Sequence, residues 1–90
     1  MLINILTEKI VMKRDRIQIM NTILGICQDG AKKTIIVYRA NLSFRLADTY
    51  LRWLVEQGYL AFNGKQYKIT PEGERFLTTL SDLTRLIYQK

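Results

Sequence analysis

Between Leu42 and Gly73 the chain reads LSFRLADTYLRWLVEQGYLAFNGKQYKITPEG, and no other stretch restricts the fold so tightly. Ser43 suits a helix N-cap, because its hydroxyl can accept one of the N–H groups left open in a first turn, and Gly58 supplies a left-handed residue to end that helix. The expected helix covers residues 43–57, about four turns, an ordinary length for a globular domain. After it, Tyr59, Leu60 and Phe62 are separated from Tyr67 and Ile69 by Asn63-Gly64, a pair that tolerates the positive φ angles of a type I′ hairpin. A short β-ribbon with its tip at residues 63 and 64 follows from this spacing. Thr70 then caps a last helix, with Pro71 at its first position, where a missing N–H costs nothing, and Glu72 and Glu74 near the positive end of the dipole.

Upstream, Ile17, Met20, Ile23, Leu24 and Cys27 recur at the three- and four-residue steps of one buried helical face, which predicts a helix from Asp15 to Gln28 ended by Asp29-Gly30. Cys27 belongs to that face and reads as a small core hydrophobe, not a redox or catalytic group. KKTIIVYRAN is ambiguous. Ile35, Ile36, Val37 and Tyr38 favour a strand on propensity, yet Thr34 can cap a short helix and Asn41-Leu42-Ser43 makes a three-residue turn into the next one. A helix is preferred, because two helices joined by such a turn explain the residues on both sides; a strand here would mean a different α+β arrangement. Residues 1–12, MLINILTEKIVM, stay unassigned between an apolar arm packed on the body and a helical extension beginning after Thr7.

Two helices, a tight turn, a third capped helix and a ribbon make up a winged helix-turn-helix. The fold class is therefore α+β and mainly helical, with this body at residues 13–70 and a C-terminal helix at residues 71–90. In the helix after Ser43, Leu46, Tyr50, Leu54 and either Leu51 or Trp53 face inward. Arg45, Asp48, Thr49 and Arg52 fall at i, i+3, i+4 and i+7 and form a polar stripe. A recognition helix lays such a stripe in a major groove, with Arg45 and Arg52 reaching guanine O6/N7 or phosphates, Thr49 between them and Ser43 near the backbone. The plainer reading is a solvated face on which Asp48 and Arg52 make an i,i+4 pair worth about 0.3 kcal/mol. Asp48, which phosphate repels, either reads a cytosine amino group or orients Arg52. Asn63, Lys65 and Lys68 are candidates for wing contacts to the DNA backbone. Lys32, Lys33 and Thr34 stand where the open N–H groups of the second helix favour a phosphate oxygen. Arg39 divides equally between pairing with a carboxylate of the body and contacting DNA. Tyr38, Tyr50, Trp53 and Tyr59 read as core or edge packing.

The placement of charge agrees with a polyanionic partner. Of 14 Lys and Arg and 8 Asp and Glu in the chain, residues 13–70 hold ten cations against four acids, so the whole net charge of +6 falls on the body. Nucleic acid is the polyanion this topology favours. The chain has no histidine, one cysteine and no glycine-rich phosphate loop, so neither a His/Cys metal site nor a nucleophile and base pair can be assembled, and no enzyme activity, cofactor or small-molecule substrate is expected. Ninety residues make one domain, and one cysteine cannot form an internal disulfide. No apolar stretch approaches the roughly 20 residues that span a bilayer and no signal-peptide pattern appears, which leads to the expectation of a cytoplasmic, nucleoid-associated protein without a membrane partner.

In the last helix, Phe76, Leu80, Leu83 and Ile87 are spaced four, three and four, an a/d seam that Leu77, Thr84 and Leu86 broaden. Such a stripe can fold back on the body, but a helix of about 18 residues is roughly 27 Å long and reaches past it, which favours a second chain. KRDRIQIMNTIL, TIIVYRANLSF, YLRWLVEQGYL and YKITPEGERFL resemble the archaeal winged-helix DNA-binding family typified by the ten-kilodalton chromatin-associated protein of Sulfolobus. The resemblance covers residues 13–88 and is most specific at YRANLS, residues 38–43. It implies a homodimer whose C-terminal helices pair in an antiparallel coiled coil, here with a terminal helix shorter than the type member's. It also implies binding to double-stranded DNA, as a transcription regulator or a nucleoid-associated architectural protein. The other class the residues allow is a winged-helix protein-interaction module that binds an acidic partner without DNA.

Overall fold

A computed structural model describes residues 16–88, with side chains to residue 86. The expected arm at residues 1–12, the charges of Lys13, Arg14 and Asp15, and the side chain of Ile87 lie outside the described residues. Helix α1 (residues 16–26) turns Ile23 and Leu24 wholly inward and tightens into a 3₁₀ turn, Cys27–Asp29, which Gly30 ends at φ +90°. Cys27 is fully buried there, and loss of hydration pushes its thiol up from 9.0 to about 12. At neutral pH it carries no thiolate and serves as core.

The ambiguous segment is helix α2 (Lys33–Ala40), and tertiary packing overrides its β-branched composition by burying Ile36 completely. Its N-cap is Lys32, which makes no side-chain cap bond, so Thr34 lies inside the helix instead of capping it. The cause lies just upstream, where the Ala31 N–H donates to the Tyr67 carbonyl (2.9 Å) and the Tyr67 N–H to the Ala31 carbonyl (2.8 Å). This bridge keeps the chain extended through Lys32, and the helix starts at the next residue. At its other end Asn41 adopts φ 55°, ψ 50°; its N–H donates to Tyr38 (3.3 Å) and that of Leu42 to Val37 (3.0 Å), the paired bonds of a Schellman end. Tyr38, expected in the core or at its edge, is 84% exposed.

Helix α3 (Phe44–Glu56) begins where the sequence places it, the Ser43 hydroxyl accepting the Leu46 N–H at 3.0 Å. It closes on Gly58 at φ +82°, with Gly58 N–H donating to Val55 and Tyr59 N–H to Leu54. Ala47, Leu51 and Leu54, at steps of four and three, face the core and Tyr50 is half-buried. Leu46 and Trp53 lie on the exposed flank, contrary to the inward role read for Leu46, because a stripe centred on 47, 51 and 54 turns both of them aside.

Strands β1 (Leu60–Phe62) and β2 (Tyr67–Ile69) pair antiparallel, Leu60 opposite Ile69 and Phe62 opposite Tyr67. The turn differs from the type I′ expected with its tip at 63 and 64. Asn63 still pairs with the opposite strand, its N–H donating to the Gln66 carbonyl (3.2 Å), and of the two turn-forming residues read from sequence only Gly64 has positive φ, at +94°. A type I′ turn needs positive φ at both of its central residues, so a single one departs from it. The Asn63 side-chain oxygen accepts the N–H groups of Lys65 (2.9 Å) and Gln66 (2.8 Å), so this asparagine acts through its side chain and not through a left-handed backbone.

Helix α4 (Pro71–Tyr88) is capped by Thr70, whose hydroxyl accepts the Gly73 N–H (2.9 Å) and donates to the Gly58 carbonyl (2.6 Å), tying the start of α4 to the end of α3. The core gathers Ile23, Leu24, Cys27, Ile36, Leu51, Leu54, Leu60, Ile69 and Leu80. Leu80, read from spacing as the centre of a seam for a second chain, is only 2% exposed within this chain, and Phe76 and Leu77 pack beside it. Phe76 stacks on Tyr59 with ring centroids 4.1 Å apart. The first half of the seam is thus taken up by the body, while Leu83 and Leu86 stay 40% and 70% exposed.

Candidate nucleic-acid interface

The outer face of α3 carries Arg45, Thr49 and Arg52, all exposed, with Asp48 half-exposed on its flank. Helical periodicity brings these residues together as the sequence requires. Thr49 donates its hydroxyl to the Arg45 carbonyl (3.1 Å), which fixes its side chain against the helix. Ser43 is engaged as the cap, so its hydroxyl already has a backbone partner.

The electrostatic centre of this face is Asp48. Its Oδ1 accepts from Lys33 Nζ at 2.8 Å and its Oδ2 from Arg52 Nη2 at 2.6 Å. The Lys33 ammonium first, and the Arg52 guanidinium after it, hold the Asp48 carboxyl below the usual carboxylate range. Sequence reasoning paired Asp48 with Arg52 but missed Lys33, because a bridge across 15 residues between two helices leaves no mark in local spacing. Lys33 therefore leans on α3 instead of standing free at the N-terminus of α2. Lys32 and Thr34 remain exposed beside it.

Arg39 is exposed and makes no ion pair among the described residues. Asn63, Lys65 and Lys68 are exposed on the wing, where Phe62, itself outward, stacks on Tyr67 at 4.5 Å. The cations of α4 differ: Arg75 pairs with Glu72 and Arg85 with Asp82 on the same helix. On the other flank of α3, Arg16, Met20, Leu46, Thr49, Tyr50 and Trp53 line an open groove of about 590 Å³. Among the described residues no cluster of His, Cys, Asp and Glu could hold a metal ion, and no helix is long and apolar enough to cross a membrane.

Two uncharacterized proteins of the archaeon Methanocaldococcus jannaschii are similar to this chain. One is 35% identical over 77 residues, an alignment that takes in 84% of this chain and 36% of the relative. The other is 29% identical over 79 residues, with 87% of this chain and 81% of the relative covered. The chain thus spans little more than a third of the first relative's length. A family profile described as winged helix-turn-helix matches residues 13–88, which takes in every element described above, from α1 through the helix-turn-helix of α2 and α3 and the β-ribbon to α4. By that match and by the order of its helices and its two-stranded wing, the chain belongs to the winged helix-turn-helix family.

Proposed function

We propose that this protein is a dimeric double-stranded DNA-binding protein, a transcription regulator or a nucleoid-associated architectural protein of the cytoplasm. Helix α3 lies in the major groove, and the wing around residues 63–68 rests on the backbone. The observation that carries the reading is the coincidence of the exposed Arg45, Thr49 and Arg52 face with the body that holds all of the chain's net charge. Lys32, Lys33, Thr34 and Arg39 extend the cationic surface along α2, and Asn63, Lys65 and Lys68 extend it along the wing. The likeness of YRANLS to the Sulfolobus chromatin family supports the same reading, since those six residues build the Schellman end and the turn that set α3 against α2.

Fluorescence anisotropy against an arbitrary duplex across a salt series tests it. A linear fall of log K with log salt, with a slope matching about 4 to 10 phosphate contacts per dimer, is the expected result. No binding at low salt would leave the second reading, a protein-interaction module, which the exposed groove between α1 and α3 favours.

In the proposed dimer the contact belongs to the distal part of α4, Leu83, Thr84, Leu86 and Ile87, continuing the helix that Phe76, Leu77 and Leu80 anchor to the body. Replacing Leu83 and Leu86 together with glutamate should give a folded monomer by sedimentation, since both side chains are exposed in the single chain. A variant that still sediments as a dimer would move the contact elsewhere. Leu80 is unsuited to this test, because a charge there enters the core.

A further inference from the structure

On the reading that α3 faces DNA, we infer that Asp48 determines specificity: it keeps Lys33 and Arg52 from binding phosphate freely, and so lowers affinity for arbitrary sequence relative to a site whose base edges Arg52 can read. Both carboxylate oxygens are engaged, one by a residue of α2 and one by a residue of α3. The three groups together carry one positive charge where the two cations alone would carry two. Asp48 lies one turn from Arg52 on the same helix, so a phosphate that approaches Arg52 also approaches the carboxylate and is repelled by it. Phosphate contacts supply affinity without sequence information, whereas base edges supply discrimination. A carboxylate in this position weakens the first kind of contact. It leaves the second available, because a guanidinium has five N–H donors and the bond to Asp48 uses one Arg52 nitrogen. The lowered carboxyl pKa keeps the charge in place at neutral pH.

The competing role for Asp48 is a brace between α2 and α3, and the two roles predict opposite signs. Loss of a brace weakens all binding. Loss of the discriminating charge strengthens binding to arbitrary DNA and flattens base preference. The test compares wild type, Asp48→Asn and Asp48→Glu on an arbitrary duplex over a salt series, and by selection from a randomised duplex pool. Asp48→Asn should bind the arbitrary duplex about eightfold more tightly at 0.1 M salt for each additional phosphate it neutralises, with a slope steeper by about 0.9 per phosphate. Its selected pool should be less enriched than the wild-type pool, and Asp48→Glu should restore wild-type behaviour. Circular dichroism monitors the fold, and Asp48→Ser replaces the asparagine variant should that one unfold. A folded Asp48→Asn that binds the arbitrary duplex no more tightly, with an unchanged slope, overturns the inference, and weaker binding to every duplex makes Asp48 the brace instead. Absence of wild-type binding to any duplex overturns the DNA reading and this inference together.

Discussion

Replacing Gly73 with alanine is expected to lower the melting temperature by about 10 to 20 °C, although general rules for this substitution point the other way. Gly73 has no positive φ, lies in the first turn of α4 and has its N–H capped by Thr70. In such a place alanine normally stabilises by about 0.5 to 1 kcal/mol, through helix propensity and a less free unfolded chain. Space reverses the sign. A Cβ on Gly73 would overlap the carbonyl oxygen of Tyr59 and lie 2.9 Å from its carbonyl carbon and 2.8 Å from Ile69 Cγ1. Two of these atoms are backbone, and the same carbonyl accepts the Thr70 N–H at 3.1 Å, so it cannot retreat without loosening the junction of β2 and α4. Overpacking of this kind costs about 2 to 3 kcal/mol, and each kcal/mol is worth about 4 to 8 °C in a domain of this size. Thermal denaturation by circular dichroism reads it directly. A melting temperature equal to or above wild type would mean that α4 shifts freely on the wing.

Gly73 marks the boundary of what was legible in the chain. Local chemistry was readable wherever one residue acts on its neighbours: the Ser43 cap, the Gly58 end, the Thr70 cap and the Asn41 turn all depend on partners within five residues, apart from the bond Thr70 makes to Gly58. Long-range effects were not. The Ala31 to Tyr67 bridge moved the start of α2 back from Thr34, and no local pattern announces a single-residue pairing with a strand 36 positions away. Tyr38 was misplaced because an aromatic residue in a short helix looks like core, whereas the one fully buried position of α2 is Ile36. In α4 the four and three spacing describes a stripe but cannot say what covers it. The body covers Phe76, Leu77 and Leu80, whereas Leu83 and Leu86 are exposed. For the candidate site, periodicity alone placed Arg45, Thr49 and Arg52 on one face, while the part that joins α2 to it, Lys33 on Asp48, came only from the fold.

That face is where the largest functional effect is expected. Arg45 is exposed without an ion pair among the described residues, and Arg52, exposed as well, pairs among them with the half-exposed Asp48, so alanine at both positions removes charge without opening the core. With Arg45 neutralising one phosphate, its loss makes the slope of log K against log salt shallower by about 0.9, and Arg52, held back from phosphate by Asp48, adds less than that on an arbitrary sequence. At 0.1 M salt the pair then costs at least about eightfold in affinity for an arbitrary duplex, per protomer engaged. Base readout adds to this on a preferred sequence, where a bidentate arginine to guanine is worth about 1 to 3 kcal/mol of discrimination. The matching control is Arg75→Ala with Arg85→Ala, which removes the same formal charge from α4 and leaves the α3 face intact. Net charge alone would make the two double variants equally weak. A recognition surface on α3 makes only the first one weak, so equal loss in both would transfer the binding from a defined face to the overall charge of the protein.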